Sequence, residues 1–164
     1  MKSLVLAAAA VLALATPVFA QDCAAGQSFT AGDITVTGAL TRATLPGAKA
    51  AGGFMTITNA GAAADRLVGV ETDAAKMAEM HEMKMEGDVM KMTRLDDGLE
   101  IPAGGTVTLE PGGYHVMMMG LAQGLAEGGC LEVTLTFERA GKLPVLLAVG
   151  GTDADMAPMG HMGH

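Results

Sequence analysis

Met77-Ala78-Glu79-Met80-His81-Glu82-Met83-Lys84-Met85-Glu86-Gly87-Asp88-Val89-Met90-Lys91-Met92 decides how the chain is to be read, together with Tyr114-His115-Val116-Met117-Met118-Met119 further on. Six of the first sixteen residues are methionine. Around the pair Gly87-Asp88 the methionines recur at every second position. Period two is the signature of a strand, in which residues i and i+2 share a face. Gly-Asp between two such runs is a hairpin loop. His81, Met83 and Met85 therefore share a face, as do Met90 and Met92, and as do His115, Met117 and Met119. Val116 and Met118 turn the other way, into the core. Two His-x-Met segments on neighbouring strands can then converge on one point.

Imidazole and thioether together make a soft donor set. It suits Cu(I), whereas Mg, Ca and Mn take oxygen. Zinc recruits cysteine, a third histidine or a carboxylate. A thioether carries no proton to lose, so it binds where thiols are oxidised or protonated. The competing reading is that methionine fills gaps in a core with 3% aromatic residues. Two histidines with matched His-x-Met spacing favour a metal. The spacing alone does not choose among Met83, Met85, Met90 and Met92 as the partner of His81, His115 and Met117.

The same period extends outward. Ile34–Thr41, Gly53–Asn59, Arg66–Glu71, Gly98–Ile101, Thr106–Glu110, Leu131–Arg139 and Val145–Val149 read as strands. Between them lie Asp96-Asp97-Gly98, Pro102-Ala103-Gly104-Gly105, Pro111-Gly112-Gly113 and Gly128-Gly129, all turn chemistry. Only Leu121–Ala126 leaves room for a helical turn. Short strands at this spacing predict one all-β sandwich or barrel over residues 21–150.

Residues 1–20 read as a secretory signal: Lys2, an apolar run from Leu4 to Leu14, and small residues before a cut near Ala20. That run is too short for a permanent membrane span. Cys23 lacks the preceding small residues of a lipoprotein signal, so no lipid anchor is expected. Cleavage leaves about 144 residues, enough for one domain with a modest core. The net charge of −8 and the lack of a basic patch argue against nucleic acid as a partner. The two cysteines, Cys23 and Cys130, are expected to pair in an exported protein. Free copper-binding thiols are the alternative, but neither has a histidine beside it, which weakens a blue-copper reading. No enzyme is expected: there is no nucleophile elbow, phosphate loop or dinucleotide fingerprint, and the only serines are Ser3 and Ser28.

His81 to Met92, Gly98 to Gly105 and Pro111 to Leu121 resemble the periplasmic copper chaperones called PCuAC. Their motif is a histidine, ten residues, a methionine, about twenty-one residues and His-x-Met. Here ten residues separate His81 from Met92 and twenty-two separate Met92 from His115. The extra residue is assigned to the Asp96-Asp97-Gly98 turn. Arg42–Pro46 and Leu131–Glu138 also look familial, so the resemblance runs from Ile34 to Val149. It implies a cupredoxin-like Greek-key β-sandwich holding one Cu(I) through His81, Met92, His115 and Met117. It also implies a periplasmic carrier that delivers copper to the copper-accepting domain of cytochrome c oxidase, alone or with a thiol-based partner chaperone. Copper storage or detoxification is the alternative function, and an oxidant sink of methionines a third.

Residues 151–164 read as a separate, flexible tail. Met156, Met159, His161, Met162 and His164 make a short metal-binding tract by composition. By resemblance to extended family members, this tail takes Cu(II) or a second copper.

Overall fold

The computed structural model describes Cys23 and residues 26–154. The expected signal segment and the metal-binding residues of the tail lie outside these described residues. Eleven strands follow in order. They are β1 (Ser28–Ala31), β2 (Ile34–Arg42), β3 (Ala50–Asn59), β4 (Asp65–Glu71), β5 (Ala75–Glu86), β6 (Val89–Arg94), β7 (Leu99–Ile101), β8 (Thr106–Leu109), β9 (Tyr114–Leu121), β10 (Cys130–Phe137) and β11 (Gly141–Gly150). No helix occurs among the described residues. In place of a helical turn over Leu121–Ala126, Leu121 closes β9 and residues 122–126 are irregular, their backbone stitched sideways: Thr44 N donates to Leu125 O at 2.9 Å, and Leu125 N donates to Thr44 Oγ1 at 2.9 Å.

The ladder runs β6-β5-β9-β3-β2-β11-β10-β4-β7, with β1 on β2 and β8 on β3. β4 and β5 are consecutive in the chain yet lie near opposite ends of the ladder, so the chain crosses from one layer to the other between them. The layers close over one core. Ile34, Val36, Met55, Ile57, Val116 and Met118 come from one side, and Leu67, Leu131, Val133, Leu135, Val145 and Leu147 from the other. Each set is the inward half of a period-two pattern, which is why a chain so poor in aromatics still buries a continuous apolar interior. This is the all-β sandwich expected from the sequence.

Two local devices shape the layers. In β2, Gly38 and Ala39 together face Met55, with Thr37 opposite Thr56 and Leu40 opposite Phe54. Gly38 takes φ +61°, the left-handed conformation that such a bulge requires. The bulge lets β2 pair with β1 over its first half and with β11, in parallel, over Leu40–Arg42. Cys23 and Cys130 form a disulfide with a Cα–Cα distance of 5.6 Å, tying the start of the described chain to the start of β10. At the far end, Arg42 Nε donates to Ala154 O at 2.7 Å, so the lead-in to the tail is held as far as Ala154.

Asp65 at the head of β4 is a buried carboxylate. Its oxygens accept from the backbone N–H groups of Arg66, Arg139 and Ala140 at 2.7–2.9 Å. Burial works to raise its pKa. The donors from Arg139, Arg66 and Ala140, with the charge of Arg139, outweigh burial and leave it below the ordinary carboxylate value.

Candidate metal centre

Three antiparallel strands assemble the centre. In the β5–β9 ladder His81 lies directly opposite His115, and Glu79 opposite Met117. In the β5–β6 ladder Met83 lies opposite Met92, and His81 opposite Arg94. Residues directly opposite share a face. His81, Met83, Met92, His115 and Met117 therefore lie on one outward face, with Glu79 and Arg94 among them. The alternate residues Met80, Val116 and Met118 are buried in the core, as period two demands. The hairpin is the one read from Gly87-Asp88: Gly87 at φ +65° supplies the first turn position, and Glu86 pairs with Val89. The longer spacing before His115 leaves both ladders in register. The chain turns between β6 and β7 with Gly98 N donating to Leu95 O at 3.1 Å.

The two imidazoles are 8% and 6% exposed, with ring centroids 5.8 Å apart in an edge-to-face arrangement. Their nitrogens are differently employed. His115 Nδ1 lies 3.1 Å from Gly113 O. A carbonyl can only accept, so Nδ1 is the donor, and it is Nε2 that carries the lone pair of the neutral ring. His81 Nε2 lies 3.3 Å from Glu79 Oε2. His81 Nδ1 is buried and has no hydrogen-bond partner. A buried, unpaired nitrogen costs free energy unless something else uses it. It belongs to a ring that lies directly opposite His115 and on the strand face that carries the thioethers.

Glu79 was not among the residues singled out from the sequence. Its side chain is largely buried and contacts Arg94 Nη1 at 2.8 Å as well as His81, while Arg94 Nε reaches Asp96 Oδ1 at 3.0 Å. A carboxylate behind a histidine fixes the ring's tautomer and raises its basicity. Its position two residues before His81, on the same face of the strand, was the available signal. Among the described residues no group of three His, Cys, Asp or Glu is placed to hold a metal. The thiols of Cys23 and Cys130 are spent in their disulfide.

A family model described as "Putative lipoprotein LpqE-like" matches residues 34–149. The chain belongs to this LpqE-like family. Among solved structures, the LpqE-like chain is similar to the apo PCuAC domain of PmoF2 (27% identity, TM-score 0.66, covering 80% of this chain and 100% of that one). It is similar also to the copper-bound PCuAC domain from PmoF2 (27% identity, TM-score 0.65, covering 76% and 98%). A third is the solution structure of CuI-DR1885 from Deinococcus radiodurans (30% identity, TM-score 0.60, covering 83% and 87%). These matches place the LpqE-like chain in the PCuAC-type family, as the resemblance of His81–Leu121 led us to expect. A curated relative, "Putative lipoprotein Lxx21020" of Leifsonia xyli subsp. xyli (strain CTCB07), is 37% identical over 106 residues, which are 62% of this chain. The LpqE-like chain spans 64% of that relative's length.

Proposed function

We propose that this protein is an exported copper carrier that holds one Cu(I) through His81, Met92, His115 and Met117 and hands it to an acceptor. The observation that carries the proposal is the cross-strand pair His81–His115, one nitrogen of which is buried and unpaired, on a face shared with the thioethers. The PmoF2 domain solved with copper and DR1885 solved with CuI support copper as the cargo. Met92 stands on the outermost strand of the ladder and the histidines lie deeper. A thioether at the rim exchanges first with a ligand of the acceptor, and the imidazoles release last. Copper thus passes through shared coordination. The favoured acceptor is the copper centre of cytochrome c oxidase, reached directly or through a thiol-based chaperone.

The name of the Leifsonia relative and the signal-like residues 1–20 support export, with the periplasm as the expected compartment. Cys23 is bonded to Cys130, so it has no free thiol to accept a lipid. The tail residues Met156, Met159, His161, Met162 and His164 are an accessory tract for Cu(II) or a second copper in this reading.

An anaerobic Cu(I) competition titration against a coloured chelator tests the proposal. His115→Ala should weaken binding by more than the roughly 10–100-fold that losing a residue behind a ligand costs. Unchanged affinity in that variant would remove His115, and with it the proposed ligand set.

A further inference from the structure

Four methionines form a two-by-two array on the β5–β6 hairpin: Met83 opposite Met92, and Met85 opposite Met90. The ligand set above uses only Met92. Beyond Glu82, β5 has lost its other neighbour. Its ladder with β9 ends at Tyr114, and the last tie is Met83 N donating to Gly113 O at 2.9 Å. Met85 and Met90 therefore stand on a free two-stranded arm and are 54% and 48% exposed. Filling a core gap does not explain side chains that reach no core. The opposite face of the arm carries Glu82, Lys84, Glu86, Lys91 and Thr93, with Val89 at the turn as its one apolar member, and Lys91 Nζ pairs with Glu86 Oε2 at 2.7 Å. The arm is thus a methionine face backed by a mostly charged one.

Residues directly opposite in an antiparallel ladder hold their Cβ atoms about 4.5–5.5 Å apart. Methionine carries its sulfur on a flexible, unbranched stem. Two cross-strand thioethers can therefore close on one ion with no backbone movement. We propose that Met85 and Met90 hold a second soft monovalent ion, Cu(I) or its analogue Ag(I), with Met83 available as a third donor, and that this outer site loads the histidine centre. The identity of the cargo rests on the carrier reading above. Thioethers without imidazole bind more weakly, so the ion moves inward. The step from Met85 to Met83 and from Met83 to His81 is about 7 Å each, two residues along a strand.

The test uses the full chain with carbon-13 in the methionine methyl groups, titrated with Ag(I) and followed by NMR. The first equivalent should move the His81 and His115 ring signals with the Met92 and Met117 methyls. The second should move the Met85 and Met90 methyls. Tail methionines that take up silver are distinguished by assignment. The double variant Met85→Leu, Met90→Leu should lose one ion of capacity and keep first-site affinity within about threefold. It should also take up Cu(I) from a chelator complex at least about threefold more slowly. The buried Met55 and Met118 methyls report whether it remains folded. Met85 and Met90 methyls that stay still in excess silver, or a double variant with undiminished capacity, would overturn the outer site. Failure of the carrier reading looks different: the arm methyls move and the histidine signals do not.

Discussion

His81 and Asp65 are both polar groups shut away from water, and they illustrate opposite solutions. Asp65 is fully satisfied by three backbone donors. Its pKa is lowered, so it binds a proton less readily folded than unfolded. The stability it contributes is present above the unfolded value of about 3.9 and is lost as pH falls through the lower folded value. Asp65→Asn should cost about 1–3 kcal/mol at neutral pH. It should also flatten the acid limb of a plot of unfolding free energy against pH; an unaltered limb would mean that other carboxylates control it. His81 instead keeps one nitrogen unpaired and depends on Glu79 to hold the ring. Glu79→Ala should weaken Cu(I) binding by about 10–100-fold. Glu79→Gln should recover part of that loss, because an amide oxygen still accepts from Nε2. Nitrogen-15 shifts of the His81 ring distinguish this from general damage, since only loss of the acceptor mixes the two tautomers.

At the scale of the element, the β5–β6 hairpin and β9 were legible because their alternation is long and their chemistry unusual. The same period that put His81 and His115 on one face sent Val116 and Met118 inward, and both are fully buried. What the sequence could not reveal was the lateral order. That β9 sits between β5 and β3 follows from packing of the whole sandwich. Only this order makes His81 and His115 direct neighbours and tells Met83 and Met92 apart from Met85 and Met90. β1 is too short to announce itself, and β11 starts at Gly141 despite Pro144. Proline is tolerated there because the parallel ladder with β2 begins only at Ala148. The expected Cys23–Cys130 bond is present and spans 107 residues of sequence. Replacing both cysteines by alanine should lower stability by about 2–5 kcal/mol in a denaturant titration. Cu(I) affinity should be unaffected; a large fall would bring the thiols back as ligands. Gly98 is a tighter constraint than its turn suggests. It holds φ +76°, and a Cβ there would collide with the Leu67 carbonyl. Gly98→Ala should therefore destabilise the β6–β7 connection by about 1 kcal/mol or more.

On the scale of the whole molecule, the centre straddles a boundary. His115 and Met117 belong to β9, which is flanked by β5 and β3 and rooted in the core. Met92 belongs to β6, which has a neighbour on one side only, and its strand runs out onto the arm that carries Met85 and Met90. Unpaired edges and missing neighbours make such segments open at low free-energy cost. In the proposed ligand set, an ion shared between Met92 and the two histidines would act as a rivet between arm and body. Backbone amides from Met85 to Met92 should exchange with deuterium quickly in the metal-free protein and more slowly once Cu(I) is bound; equal rates would mean that the arm is already stiff. If the rivet forms, part of the binding free energy is consumed in stilling the arm. The grip on copper is then weaker than the same four ligands would give in a rigid frame, and an acceptor that frees the arm recovers that lost motion as a driving force for transfer.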